Sequence, residues 1–243
     1  MYSGDFKIDE KFTLIVAAAG SGKRMNLGIP KQYLELDSIP LYLHSVLVGE
    51  KSELVEEIVI VAPTADRELI ENQCKIHGMT KRLKIVSGGA ERQDSIMAGL
   101  RAATCPLVAV QDGARPFMKD SYLWESYKLL KNSEIKTDGT VVGVKVKDTV
   151  KIIDSQGIVV NTPPRENIIL AQTPQCFRRD YLLEVYQKAQ EENFMGTDDS
   201  SLAERYGGKI RVVFGDYENI KITTVEDIKI ARSWKDEDRA GSV

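Results

Sequence analysis

The stretch LIVAAAGSGKRM, residues 14–25, carries the first chemistry in the chain. An apolar run ends in a turn of small residues, and two cations, Lys23 and Arg24, follow at once. Glycines let a backbone approach a ligand closely, and the cations point to an anion. Two familiar phosphate loops fail here. A P-loop needs a glycine where Ala17 stands and a hydroxyl where Arg24 stands. The dinucleotide fingerprint finds Gly20 and Gly22 but meets Met25 at its third glycine. What remains is a strand, a small-residue loop and clustered cations, joined by Lys31 in PKQY. Backbone N–H groups with two or three cations suit a triphosphate.

Three further clusters share this character. SGGAERQDS, residues 87–95, pairs Gly88 and Gly89 with Ser95 at a helix start. VQDGARPF, residues 110–117, puts Asp112 just after an apolar run, where a carboxylate can hold Mg²⁺ between phosphate oxygens. DYENIKIT, residues 216–223, offers Lys221 beyond another strand and Asp216 as a weaker second metal carboxylate. The two histidines, His44 and His77, lack a nucleophile-like context, so a Ser–His–Asp site or a histidine zinc site has little support. Cations around a triphosphate loop and a magnesium carboxylate point to phosphoryl-type chemistry, which needs positioning and charge more than an activated nucleophile.

These residues need a scaffold. Apolar runs at 13–18, 57–62 and 107–110 read as strands buried on both faces, with a short strand at 84–87. Helices are expected at 44–49, 65–77, 94–103, 181–192 and 225–234, and a strand at 210–214. The alternation implies an open, mostly parallel α/β sheet whose ligands sit beyond the carboxyl ends of the strands. All three polar turns should then face one crevice. Residues 140–160 alternate β-branched and polar types, which predicts a hairpin arm outside the sheet that needs a partner surface. The tail, 235–243, is polar and expected to fray.

The 243 residues suffice for one large domain. A net charge of -3 excludes a broad basic field, so nucleic-acid binding is disfavoured and any anion must be met locally. Cys74, Cys105 and Cys176 are odd in number and far apart, giving neither a disulfide framework nor a zinc spacing. They are expected as reduced core thiols of a cytoplasmic protein. No signal-peptide pattern and no membrane-spanning run is expected.

The motifs AAAGSGKRM, PKQY, GGAERQDS, DGARP, KDTVK, AQTPQCF, TDDSS and NIKIT occur in this order from about Thr13 to Trp234. Through them the chain resembles the 2-C-methyl-D-erythritol 4-phosphate cytidylyltransferases of the non-mevalonate isoprenoid pathway. The resemblance implies a Rossmann-like nucleotidyltransferase fold of the nucleotide-diphospho-sugar transferase type. It also implies a single domain with a β-arm at about 145–175 that exchanges contacts in a homodimer. CTP and methylerythritol phosphate would give CDP-methylerythritol and pyrophosphate, with Mg²⁺.

By position, the resemblance implies that Ala18, Ala19, Gly20, Gly22 and Arg24 wrap the CTP phosphates. Arg24 and Lys31 would stabilise charge on the α-phosphate and the leaving pyrophosphate. Gly89 and Ser95 would read cytosine, Asp112 would hold Mg²⁺, and Lys221 would bridge the substrates. Thr149, Arg165 and Thr173 on the arm, assisted by Arg115, would bind the polyol phosphate across the dimer. Two positions depart from the family habit: Gln111 stands in place of histidine and Ile169 in place of tryptophan. The rival readings are a ribitol 5-phosphate cytidylyltransferase, a sugar-nucleotide pyrophosphorylase and a non-catalytic nucleotide-binding regulator. The last would be expected to lack Arg24, Lys31 or Lys221, and all three are present.

Overall fold

The computed structural model describes residues 7–20 and 31–240. Strand β1 (Phe12–Ala17) is buried along nearly its whole length, and its side chains alternate between two cores. Leu14 and Val16 face one side, and Ile15 faces the other. The same alternation runs through β4 (Val55–Ala62) and β6 (Leu107–Asp112). Strands covered on both faces read as continuous apolar runs, which is why these three were visible in the sequence.

Two short strands, β2 (Glu35–Leu36) and β3 (Ile39–Pro40), form a small ribbon before helix α1 (Leu41–Lys51). Helix α2 (Arg67–Ile76) leads to β5 (Arg82–Ser87), and α3 (Arg92–Ala102) returns to β6. Next come α4 (Asp120–Lys131), β7 (Gly139–Lys145), and the short strands β8 (Ile152–Ile153) and β9 (Val159–Asn161). The chain ends with β10 (Ile169–Arg178), α5 (Arg179–Glu191), α6 (Asp199–Arg205), β11 (Ile210–Phe214) and α7 (Val225–Ala240).

The main sheet has seven strands in the order β11-β7-β10-β6-β1-β4-β5. Strand β10 is antiparallel to both neighbours, and every other recorded pairing in this sheet is parallel. Residues of α1, α2 and α4 fill one core, and residues of α3, α5 and α6 fill the other. From β1 the chain first moves outward to β4 and β5, then returns to place β6 on the other side of β1. The carboxyl ends of β1 and β6 therefore flank the topological switch, where α/β sheets form their crevice.

Several expectations need correction. Residues 140–145 do not belong to an arm. They lie in β7, and Thr140, Val142 and Val144 are buried. The arm is the stretch 146–168 that leaves the sheet between β7 and β10, and its paired part is the small β8–β9 ribbon. Strand β10 and helices α4 and α6 were not expected. Pro174 and the polar residues of β10 argue locally against a strand. Helix α7 runs to Ala240, beyond the expected end at 234. His44 is tied into the fold, its Nε2 lying 3.0 Å from the Leu36 carbonyl. The three cysteines are free and buried, and burial pushes the Cys176 thiol up to about 12.

The amino ends of the central strands are tied by Glu57, which is fully buried. One carboxylate oxygen accepts from Thr13 Oγ1 at 2.8 Å and from the Thr104 N–H at 2.8 Å. The other meets Lys84 Nζ at 2.6 Å. Burial raises the Glu57 pKa, but Lys84 and the hydrogen bonds outweigh it and hold the group below the usual glutamate value. A depressed carboxylate contributes stability above its unfolded pKa and loses it as pH falls through the folded one. Lys84→Met should therefore destabilise the protein by about 3 kcal/mol at about pH 7, because it leaves a buried charge without its cation. Urea unfolding should find the deficit smaller at about pH 4, near the ordinary glutamate value, where the variant's carboxyl can take up a proton instead of remaining a buried charge without its cation. A deficit that does not depend on pH would contradict the assignment.

Candidate active site

The three polar turns do converge. Beyond the carboxyl ends of β1, β5 and β6 lies a cleft of about 540 Å³. Ala19 and Gly20, Gly89 to Arg92, Ser95, Asp112 and Lys221 line it. Ala18 is buried beside it, its N–H donating to the Val61 carbonyl at 2.7 Å. Gly22, Lys23 and Arg24 lie outside the described residues, as does the side chain of Lys31.

Close backbone approach requires two of the glycines. A Cβ on Gly88 would lie 2.3 Å from Ala19 Cβ, so no larger residue lets the second turn meet the first. A Cβ on Gly113 would lie 2.7 Å from the Ala17 carbonyl oxygen, which accepts the Gly113 N–H at 3.0 Å. Ser95 staples the second turn. Its hydroxyl accepts from the Gly89 N–H and donates to the Glu91 carbonyl, both at 3.1 Å. The Glu91 N–H donates to Asp94 at 3.1 Å, which fixes the start of α3.

Asp112 is the last residue of β6 and is buried. Its Oδ2 meets Lys221 Nζ at 2.8 Å and Arg115 Nε at 3.6 Å, and its Oδ1 meets Arg92 Nε at 3.6 Å. Burial alone would raise the pKa of this carboxyl, but Lys221, then Arg92 and Arg115, pull it down to about 2. The group is ionised throughout the neutral range, and the cluster keeps an excess of positive charge. That excess is what an anion-binding cleft needs in a chain of net charge -3.

A second pocket of about 320 Å³ continues from this point. Arg92, Arg115, Lys221, Thr173 and Asp198 are among the residues lining it. Arg115 Nη1 donates to the Asn219 carbonyl at 2.7 Å, while its buried Nε has no hydrogen-bond partner. Asn219 Nδ2 donates to the Thr173 carbonyl at 2.9 Å and to Gln172 Oε1 at 3.2 Å. Gln175 Nε2 donates to Asp198 Oδ2 at 2.7 Å, and the Ser200 N–H donates to Gln175 Oε1 at 2.8 Å. The NIKIT, AQTPQ and TDDSS motifs are thus stitched together behind the pocket. Gln111, one of the departures from family habit, turns away from the cleft. Its Nε2 donates to Ser45 Oγ and the Arg115 carbonyl.

Two expected placements are overturned. Thr173 is not on the arm: it lies buried in β10, where its hydroxyl accepts the Asp112 N–H at 3.1 Å. A bulge in β10 between Ala171 and Gln175 sets it there. Asp216 is not brought to Asp112. Its Oδ2 accepts from the Tyr122 hydroxyl at 2.6 Å and pairs with Lys119 at 3.0 Å, outside both pockets. Thr149 and Arg165 do lie on the arm, both exposed, and Arg165 Nη1 donates to the Lys147 carbonyl at 3.0 Å. Neither lines the cleft of its own chain. Arg92 and Asp199 were not among the expected site residues, although both sit inside motifs quoted above. The Asp198–Ser201 capping box, legible as an N-terminal signature, marks the helix that carries Asp199.

Comparison with known proteins decides what this cleft belongs to. The family model described as IspD, 2-C-methyl-D-erythritol 4-phosphate cytidylyltransferase, matches residues 12–235. The chain belongs to this family. A relative from Fusobacterium nucleatum carrying the cytidylyltransferase name is 43% identical over 234 residues, covering 96% of this chain and all of the relative. The crystal structure of 4-diphosphocytidyl-2C-methyl-D-erythritol synthase from Anaerococcus prevotii is 32% identical, with a TM-score of 0.84 over 94% of this chain and 98% of that one. The Francisella tularensis cytidylyltransferase structure is 28% identical, with a TM-score of 0.76 over 93% of this chain and 99% of that one. The expected α/β nucleotidyltransferase fold is the one found.

The charge balance of the family cleft generates a test. Asp112→Asn leaves Lys221 and Arg115 without their carboxylate, while Arg92 keeps Asp199, and should cost about 3 kcal/mol of stability. Added pyrophosphate should then raise the melting temperature of the variant more than that of the wild type, because the anion replaces the lost carboxylate. Thermal unfolding with and without pyrophosphate reads both effects. An equal shift in the two proteins would mean that the cluster does not govern anion binding.

Proposed function

We propose that this cleft binds CTP and 2-C-methyl-D-erythritol 4-phosphate side by side and transfers the cytidylyl group, giving CDP-methylerythritol and pyrophosphate for isoprenoid synthesis. An oxygen of the polyol phosphate forms a bond to the α-phosphorus of CTP, and the bond from that phosphorus to pyrophosphate breaks. The observation that carries this reading is the convergence of two glycine turns and Lys221 on one over-compensated carboxylate, with a second cationic pocket directly alongside.

The residue roles follow from that arrangement and from the family pattern. The backbone of Ala18, Ala19, Gly20 and Gly22, with Arg24, cradles the triphosphate. The turn at Gly89, held by Ser95, offers a small pyrimidine edge its backbone groups. Arg24 and Lys31 stabilise the charge that grows on the α-phosphate and the leaving pyrophosphate. Lys221 stands between the two pockets and can meet phosphates from both sides. Arg115, whose Nε makes an ion pair with Asp112 but no hydrogen bond, and Thr173 serve the polyol phosphate from within the same chain.

Mg²⁺ belongs to the proposal. A single hard carboxylate is too few for an all-protein cage, and no cluster of three metal-ligating side chains occurs among the described residues. One carboxylate beside a triphosphate pocket fits an ion that takes its remaining ligands from phosphate and water. Asp112, ionised and lining the cleft, would hold it. When bound, the ion would neutralise phosphate charge and help align the triphosphate. Asp216, turned elsewhere, would not take part.

A homodimer also belongs to the proposal. Ile152, Ile153, Ile158, Val159 and Val160 on the arm are all exposed, a surface that a second copy would cover. Thr149 and Arg165 would then reach the polyol phosphate in the partner's cleft. Action in the cytoplasm is consistent with three buried free thiols. No helix among the described residues is long and apolar enough to cross a membrane.

Supplied with methylerythritol phosphate, the enzyme should release pyrophosphate from CTP and far less from ATP or GTP, if the turn that Ser95 staples at Gly89 reads the pyrimidine edge. Comparable turnover with ATP would remove Gly89 and Ser95 from base recognition. The shared site has its own test. Arg165→Ala should raise KM for the polyol phosphate while CTP binding stays nearly unchanged. An inactive Arg24→Ala chain mixed with an inactive Arg165→Ala chain should regain activity. About half of the randomly paired dimers are mixed, and each has one intact site, so roughly a quarter of wild-type activity should return. No recovery after demonstrated subunit exchange would place the arm residues in their own subunit's site.

A further inference from the structure

Arg92 lies where the two pockets meet. Its guanidinium is already committed. Nη1 donates to Asp199 Oδ1 at 3.1 Å, and Nη2 donates to Asp199 Oδ2 at 2.7 Å. Asp199, at the start of α6, is fully buried. The Tyr186 hydroxyl, from α5, donates to the same Oδ1. The remaining Arg92 nitrogen, Nε, faces Asp112 Oδ1 at 3.6 Å, which is an ion-pair distance but not a hydrogen bond. A buried polar chain thus runs from Tyr186 through Asp199 and Arg92 to the cleft.

Tyr186 sits in the apolar cluster with Ile96, Val185 and Leu202. A phenylalanine would fill the same space without a hydroxyl to satisfy. Asp199 is the acceptor that the hydroxyl finds there. Without Asp199, the guanidinium would have free forks and would close on the nearest carboxylate, which is Asp112. Lys221 already holds Asp112 Oδ2 at 2.8 Å. With Arg92 drawn onto Oδ1 as well, neither oxygen would remain open to the nucleotide side of the cleft.

We propose that Asp199, steadied by Tyr186, is a positioning residue for cytidylyl transfer: it holds Arg92 off Asp112 so that Asp112 Oδ1 stays available. This rests on the reading of Asp112 as the residue that holds Mg²⁺. Asp199 and Tyr186 touch no substrate and act on the cleft through Arg92.

Calorimetric titration of CTP into the intact protein, with and without Mg²⁺ and without the second substrate, tests this. Asp199→Asn offers the fork one acceptor oxygen instead of two. Its metal-free CTP affinity should stay within about twofold of wild type, while the tightening produced by Mg²⁺ should fall about tenfold, the usual scale for a group that orients a metal-holding residue. Tyr186→Phe should act in the same direction by about threefold, the scale of one lost hydrogen bond. If metal-free and Mg²⁺-dependent affinities fall in step, the role is general support of the fold and the proposal is wrong. Unchanged Mg²⁺ tightening in both variants overturns it as well. Should Asp199→Asn fail to fold, Tyr186→Phe decides alone, since the ring fills the same volume. A wild-type protein whose CTP affinity ignores Mg²⁺ would instead remove the metal reading, and this inference with it.

Discussion

One carboxylate surrounded by three cations organises the molecule. Asp112 ends β6, Lys221 follows β11, Arg92 opens α3 and Arg115 follows the β6 turn. Each cation arrives on a different segment, so the ion cluster ties those segments to the switch point of the sheet. The ties also set a potential. Three cations and two buried anions, Asp112 and the Asp199 that holds Arg92, leave the cluster with one surplus positive charge on a chain that is negative overall. The excess is held in a poorly solvated place, where charge acts more strongly than it would in water. A triphosphate and a polyol phosphate would supply the anions that the protein itself leaves out.

Strand β10 makes this arrangement possible. It lies antiparallel between β6 and β7, and it buries Gln172, Thr173 and Gln175 where apolar residues would be expected. Buried amides are tolerated only when their hydrogen bonds are met. Asn219, Asp198 and the Ser200 N–H meet them, and each lies near a functional motif. A polar network satisfied in this way has one geometry, because slipping the register would strand several groups at once. The position of Thr173 beside Asp112 follows from that constraint.

The same physics explains which features were legible in the sequence. β1, β4 and β6 announce themselves because strands covered on both faces are apolar at every position. The three turns could be placed together because strand ends in such a sheet share one side. Asp112 was found for the same reason. β10 was missed because Pro174 and its glutamines argue locally against a strand, and only partners far along the chain favour one. α4 does carry a readable pattern, with Tyr122, Leu123, Tyr127 and Leu130 buried along it, although no helix was expected there. Asp216 was misplaced because a carboxylate near Lys221 in the chain is not thereby near Asp112 in space. Tyr122 and Lys119 hold it elsewhere. Arg92 went unassigned because its importance lies in two partners, Asp112 and Asp199, that no local spacing reveals.

The two ends of the central strands show how charge stoichiometry separates structure from function. Glu57, toward the amino end, is buried as Asp112 is at the carboxyl end. Glu57 meets one cation and a set of neutral donors, so its charge is balanced and nothing is left to attract a ligand. Asp112 meets three cations, and with Asp199 matching Arg92 one positive charge still remains over. Both carboxyls are held below their usual pKa, and on that measure alone they look alike. What differs is the sign of the remainder. A neutral cluster can close over and become part of the core, whereas a cluster with surplus positive charge is stabilised by staying open to an anion. The turns that follow β5 and β6, drawn close to β1 through Gly88 and Gly113, leave that opening beside Ala19 and Gly20, where the chain leaves β1.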